Sequence, residues 1–205
     1  MGDRLRIVYS GTLWNLTSVE PLVEAVRQLC RYRPELVPNL ELVFVGRKMS
    51  HQLALLEQLA ETGCHLELRD YCEHSEVLSL MASADILCLL LSDVDGAERV
   101  APAKLFEYLA AHKEILAIAP HGETAEIVTT YFPHNHFTGD DIDGICRWIA
   151  ERIERKGKVL PLPAIDHDIA RFSRQHQAGQ LADYFDTVIS RVRAPADSGR
   201  RRNRG

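Results

Sequence analysis

The chain has 205 residues, 46% of them apolar and 26% charged, and a net charge of -5. That is an ordinary globular composition, long enough to bury a full core as one domain or two. Four arginines (Arg200, Arg201, Arg202 and Arg204) against Asp197 give the last ten residues +3 and leave -8 on the rest, an acidic body that excludes a general nucleic-acid binder. No apolar run approaches the ~20 residues of a membrane span. The start, with Asp3, Arg4 and Arg6, is unlike a secretion signal, so cytoplasmic residence is expected.

From the amino end, short apolar strands alternate with amphipathic helices. Strands are expected at 5–9, 41–45, 65–68, 86–90 and 115–119, with a short one at 136–138. Helices are expected at 19–32, 51–61, 75–82, 103–112, 124–130 and 142–155. This alternation implies right-handed crossovers and an α/β fold with a doubly wound, Rossmann-like parallel sheet. Ligands of such sheets bind outside the carboxyl ends of the strands. The loops at 10–17, 46–50, 69–74, 92–101 and 120–123 are therefore the candidate pocket. Residues 160–163 (Leu-Pro-Leu-Pro) read as a linker, 168–193 as helix with apolar Phe172, Leu181, Tyr184, Phe185, Val188 and Ile189, and 194–205 as a disordered basic tail. One domain over 1–193 is expected.

The most informative stretch is 101–119. Pro102 suits a helix start, where its missing N–H costs nothing. The unpaired amides and positive dipole end there, at Pro102 and Ala103, can receive an anion. Lys104 and Glu107 share a helix face. From Pro102 to Glu107 the rise is roughly 7.5 Å, about the reach from a diphosphate to the ribose of the same nucleotide. Lys104 can neutralise a phosphate while Glu107 accepts the ribose hydroxyls.

P-A-K-L-F-E-Y-L-A-A-x-K-x-I-L-A resembles the donor-sugar motif of family 4 glycosyltransferases, which have two Rossmann domains (the GT-B fold). S-G-T-L-W at 10–14, V-F-V-G at 43–46 and A-S-A-D-I-L-C-L-L at 82–90 fall in the family's order, so the resemblance covers about 5–190. It implies the C-terminal, donor-binding domain of a retaining hexosyltransferase, with Glu107 on the ribose of a UDP- or GDP-linked sugar. It also implies that no metal or other cofactor is needed, because helix dipole and basic side chains stabilise the departing diphosphate. Family habit suggests a polysaccharide or other cell-envelope glycan as the product, and a last helix that crosses back onto the partner domain.

The chain departs from the family at two places. Arg99 stands where a second glutamate is common, with Glu98 one residue out of register, and the loop at 14–17 has no basic residue where a Lys-Gly pair is frequent. Backbone amides at Gly11 and Thr12, or Arg47 and Lys48 beyond the second strand, are the alternatives for phosphate, and Tyr71 is a candidate for stacking on the base. His121-Gly122-Glu123-Thr124 lies near where the sugar would sit.

His134 and His136 would share a strand face, but the sequence suggests no third metal ligand. The five cysteines are scattered without a C-x-x-C and read as reduced thiols.

A family enzyme is about twice as long, so an N-terminal acceptor domain is expected in cis or as a separate subunit. The chain would then be a truncated piece, a split subunit or a remnant, with little transferase activity of its own. The complete enzyme is compatible with peripheral membrane association. The competing expectation is a non-catalytic nucleotide- or protein-binding module of the same fold. A flavodoxin- or receiver-like protein is disfavoured, for want of an acidic cluster or a Ser/Thr/Gly-rich phosphate loop.

Overall fold

The computed structural model describes residues 3–156 and 169–193. It divides into two compact units, Met1–Ile165 and Asp166–Gly205. The expected linker at 160–163 and tail at 194–205 lie outside the described residues.

The first unit is a six-stranded parallel sheet: β1 (Leu5–Ser10), β2 (Leu40–Val45), β3 (His65–Arg69), β4 (Ile86–Leu90), β5 (Glu114–Ile118) and β6 (His136–Phe137). The spatial order is β3-β2-β1-β4-β5-β6, the doubly wound arrangement that the alternation predicts. Its helices are α1 (Glu20–Tyr32), α2 (Ser50–Glu57), α3 (His74–Ser83), α4 (Ala103–Ala110), α5 (Glu123–Tyr131) and α6 (Ile142–Glu154).

Both sheet faces are covered. Ile7, Leu42, Cys88 and Leu116 point into one core layer with Leu22, Val26 and Leu29 of α1, Leu56 of α2 and Ile145 and Ile149 of α6. The alternate strand positions Val8, Val43, Leu87 and Leu89 are buried too, and α3, α4 and α5 lie against β1, β4 and β5. Burial on both faces is why these strands read as unbroken apolar runs.

Element ends differ from expectation for local reasons. The second helix stops at Glu57 and tightens into a 3-10 turn at Gln58–Glu61. α4 stops at Ala110 rather than at 112, because His112 turns left-handed (φ 51°) and donates its N–H to Leu109 O at 3.1 Å. α6 starts where expected, its first turn capped by the Asp141 carboxylate on Gly144 N–H at 2.9 Å. Short 3-10 turns at Val37–Asn39 and Ala97–Arg99 carry no periodic signal in the sequence.

The second unit comprises a 3-10 turn at Ile169–Phe172 and α7 (Arg174–Arg193). Leu181, Tyr184, Phe185, Val188 and Ile189 recur at helical spacing along α7 and are exposed.

Candidate functional site

The sheet order reverses between β1 and β4, and the two strands pair only at Ile7↔Ile86 and Val8↔Leu87. Beyond Val8 they part, and α4 supplies what fills the gap. Tyr108, fully buried on α4, takes the Ser10 N–H on its hydroxyl at 3.0 Å, and that hydroxyl also pairs with Ser10 Oγ at 3.1 Å. A side chain thus satisfies a strand amide that β4 no longer reaches. The divergence lies at the switch point of the sheet, where doubly wound folds have their ligand crevice outside the carboxyl ends of the strands.

One turn earlier on α4, Lys104 enters the same crevice. Its Nζ donates to Tyr9 Oη at 2.9 Å and sits 4.2 Å from the centroid of the Tyr9 ring. Tyr9 Oη in turn donates to Thr12 O at 3.0 Å, a carbonyl that also accepts from Thr17 Oγ1 at 2.8 Å. The ammonium occupies the space that a side chain at residue 11 would need: a Cβ on Gly11 would lie 2.6 Å from Lys104 Nζ, and Gly11 has φ +133°. Desolvation pulls the Lys104 pKa down from 10.5 to about 8, opposed by the charge of Glu107. Burial also pushes the Cys88 thiol on β4 up to about 12, so it stays neutral beside this cation.

The other expected contacts are engaged to different degrees. Gly11 N–H donates to Val45 O at 2.9 Å, continuing the ladder to β2, so this amide is already used. Thr12 is exposed above it, offering its carbonyl to Tyr9 and Thr17. Arg47 is exposed, but Lys48 turns inward and donates to Gly46 O at 2.7 Å and to Arg69 O, with its pKa lowered by burial. Lys48 therefore closes the β2 and β3 ends instead of presenting a free cation.

Glu107 is exposed and lines a groove of about 480 Å³ between α3 and α4, with His74, Leu78, Met81 and Ala110. No ion pair joins it to Lys104 among the described residues. The two side chains leave α4 in different directions, Lys104 into the crevice and Glu107 toward α3. Pro102 is the N-cap of α4, in extended conformation, and Ala103 begins the helix. Tyr71, 77% exposed, stands free on the loop after β3. Arg99 is 82% exposed and pairs with Glu98 at 3.1 Å, on the outer side of the 3-10 turn.

The loops after β4 and β5 are clasped together. Thr124 Oγ1 donates to Val100 O, and Gly122 (φ +144°) passes so close to the Glu98 backbone that any Cβ would overlap it. Beyond β5, His136 lies 5.3 Å ring to ring from His121, and its Nε2 contacts Ala119 O at 2.9 Å, while His134 is exposed on the turn before β6.

Sequence reasoning missed Tyr9 and Tyr108. The spacing from Lys104 to Tyr108 puts both on one helix face, which was the available signal. That both meet the end of β1 depends on which strand neighbours β4.

Solved glycosyltransferase structures share this fold. Anabaena HepE in complex with UDP superposes with a TM-score of 0.65 at 15% identity, over 90% of this chain and 49% of that one. WaaG, a glycosyltransferase of lipopolysaccharide biosynthesis, gives 0.53 at 17% identity, over 84% and 47%. The catalytic domain of a cholesterol-α-glucosyltransferase from Helicobacter pylori gives 0.56 at 16%, over 87% and 98%. The chain thus spans about half the length of the first two and nearly all of the third. No curated protein sequence matches it significantly. The model of the family "Glycosyl transferases group 1" matches residues 2–159, the whole of the sheet and its flanking helices. This chain belongs to the glycosyl transferases group 1 family.

Proposed function

We propose that the chain is the donor half of a retaining glycosyltransferase, holding a nucleoside diphosphate sugar across the carboxyl edge of β1 and β4. The observation that carries this reading is the placement of Lys104 in the crevice at the switch point, one helical turn from Glu107. The ammonium and the start of α4 at Pro102 and Ala103 meet the diphosphate, and the Glu107 carboxylate meets the ribose. Tyr71 and Arg47 stand exposed on neighbouring loops, free to turn toward base or phosphate. UDP is the first candidate, since the similar HepE is solved with it, once alone and once together with glucose.

In the transfer step, charge builds on the departing diphosphate oxygen. A fixed cation in a crevice of low dielectric lowers that barrier more than a solvated one would. The acceptor is read by a second domain, supplied in cis or as a separate subunit. In support, Trp14, Leu16, Met49, Val94 and Val100 are exposed apolar side chains gathered on the loops at the carboxyl edge, where they suit an interface. The product is a cell-envelope glycan or other polysaccharide, made on the cytoplasmic side, and this chain alone transfers little sugar.

The test is calorimetric titration of UDP, GDP, ADP and TDP into the chain and into Glu107→Ala. Micromolar binding of one nucleotide, lost in the variant, is the expected result. Silence across the panel in the wild type overturns the reading and favours a protein-binding module of the same fold.

A further inference from the structure

Tyr9 has no part in the nucleotide reading so far, yet it is the residue that holds Lys104. Its side chain is 1% exposed and packs on Phe44, ring to ring at 6.0 Å, so the hydroxyl is fixed in place from the core side. That hydroxyl spends its proton on Thr12 O at 3.0 Å, which leaves its lone pairs for the ammonium at 2.9 Å. The ring face lies under the same ammonium at 4.2 Å, a cation–π placement that favours the charged form. Burial pushes the Tyr9 phenol above its ordinary range, so it remains a neutral acceptor. The loop at 11–17 carries no basic residue of its own. Arg47 is exposed and Lys48 is spent on the carbonyls of Gly46 and Arg69, so the cation held at the end of β1 is the one that comes from α4.

We infer that Tyr9 is a positioning residue of the diphosphate site, which keeps the Lys104 ammonium in the β1–β4 crevice so that a phosphate meets a cation already in place. The inference rests on the nucleotide reading above and deepens it. A lysine side chain free in solvent would have to surrender much of its rotamer freedom on binding. Held by Tyr9, it surrenders that freedom on folding instead, and binding keeps the gain.

Tyr9→Phe removes the acceptor and keeps the ring. It orphans no other group, because Thr12 O retains its bond from Thr17 Oγ1. UDP and uridine are titrated into four proteins: wild type, Tyr9→Phe, Lys104→Met and the double variant, between pH 6 and 9. We expect Tyr9→Phe to weaken UDP about tenfold at pH 7, a loss on the scale of one charge-assisted hydrogen bond. It should leave uridine unchanged, and the fall in UDP affinity with rising pH should begin at lower pH than in the wild type. In the Lys104→Met background the same change should do nothing, because no ammonium remains to be placed. Equal losses in both backgrounds, or none in either, overturn the positioning role and leave the nucleotide reading standing. Where the wild type binds another diphosphate than UDP, the same four proteins are titrated with that diphosphate and its nucleoside; a wild type that binds none of UDP, GDP, ADP and TDP overturns both.

Discussion

The Tyr108 hydroxyl accepts the Ser10 backbone N–H at 3.0 Å, so a helix side chain takes over a ladder position that β4 has abandoned. Both groups are buried. An N–H stripped of its partner in such a place costs about 1–3 kcal/mol. Tyr108→Phe keeps the ring and removes the hydroxyl from both Ser10 N–H and Ser10 Oγ, so urea unfolding should show a loss of at least that size with an unchanged m-value. A loss under about 0.5 kcal/mol would mean that the strands do not need this bond to part.

Gly46 and Gly63 both have positive φ, +117° and +86°, but their surroundings differ. A Cβ on Gly46 would overlap the Gly11 carbonyl, which is backbone and cannot turn aside; nothing lies within 4 Å of one on Gly63. Gly63→Ala should cost about 1–2 kcal/mol of backbone strain. Gly46→Ala should cost clearly more and also weaken UDP binding, since it separates the loops after β1 and β2. Equal costs in denaturant unfolding would show that the loops yield.

Lys104 sets a pH dependence of stability. Its folded pKa, about 8, lies below the unfolded 10.5. Between those values the unfolded chain binds more protons, so stability rises with pH from about 8 and the burial penalty is fully present below that. Wild type should gain about 1 kcal/mol between pH 7 and 9, and Lys104→Met should lack that gain while being the more stable protein at pH 7. Unfolding at the two pH values checks this; parallel changes in both proteins would assign the gain to other groups.

Glu107 and Lys104 should separate when UDP and uridine are compared. Glu107→Ala, on the groove toward α3, should weaken both ligands, by about tenfold or more for a charged hydrogen-bonding partner. Lys104→Ala should weaken UDP and spare uridine. The same loss pattern in both variants would place the two side chains against one part of the ligand.

The strand–helix alternation, the parallel sheet and the charged groups that α4 carries were legible in the sequence because each rests on local information. Buried parallel strands must be apolar throughout, helices must repeat every 3.6 residues, and Pro102, Lys104 and Glu107 lie within one short segment. Amide use was not legible: Gly11 N–H goes to β2, and Lys48 caps carbonyls after β2 and β3, because those partners are distant in sequence. Nor was the divergence of Lys104 from Glu107, which needs the positions of β1 and α3 around α4. The sequence by itself determined which groups could carry charge to a ligand. The tertiary structure decided where they lie, since only the neighbours of β4 put Tyr9 and Gly11 around the Lys104 ammonium and Tyr108 against Ser10, and desolvation there tunes the lysine's proton.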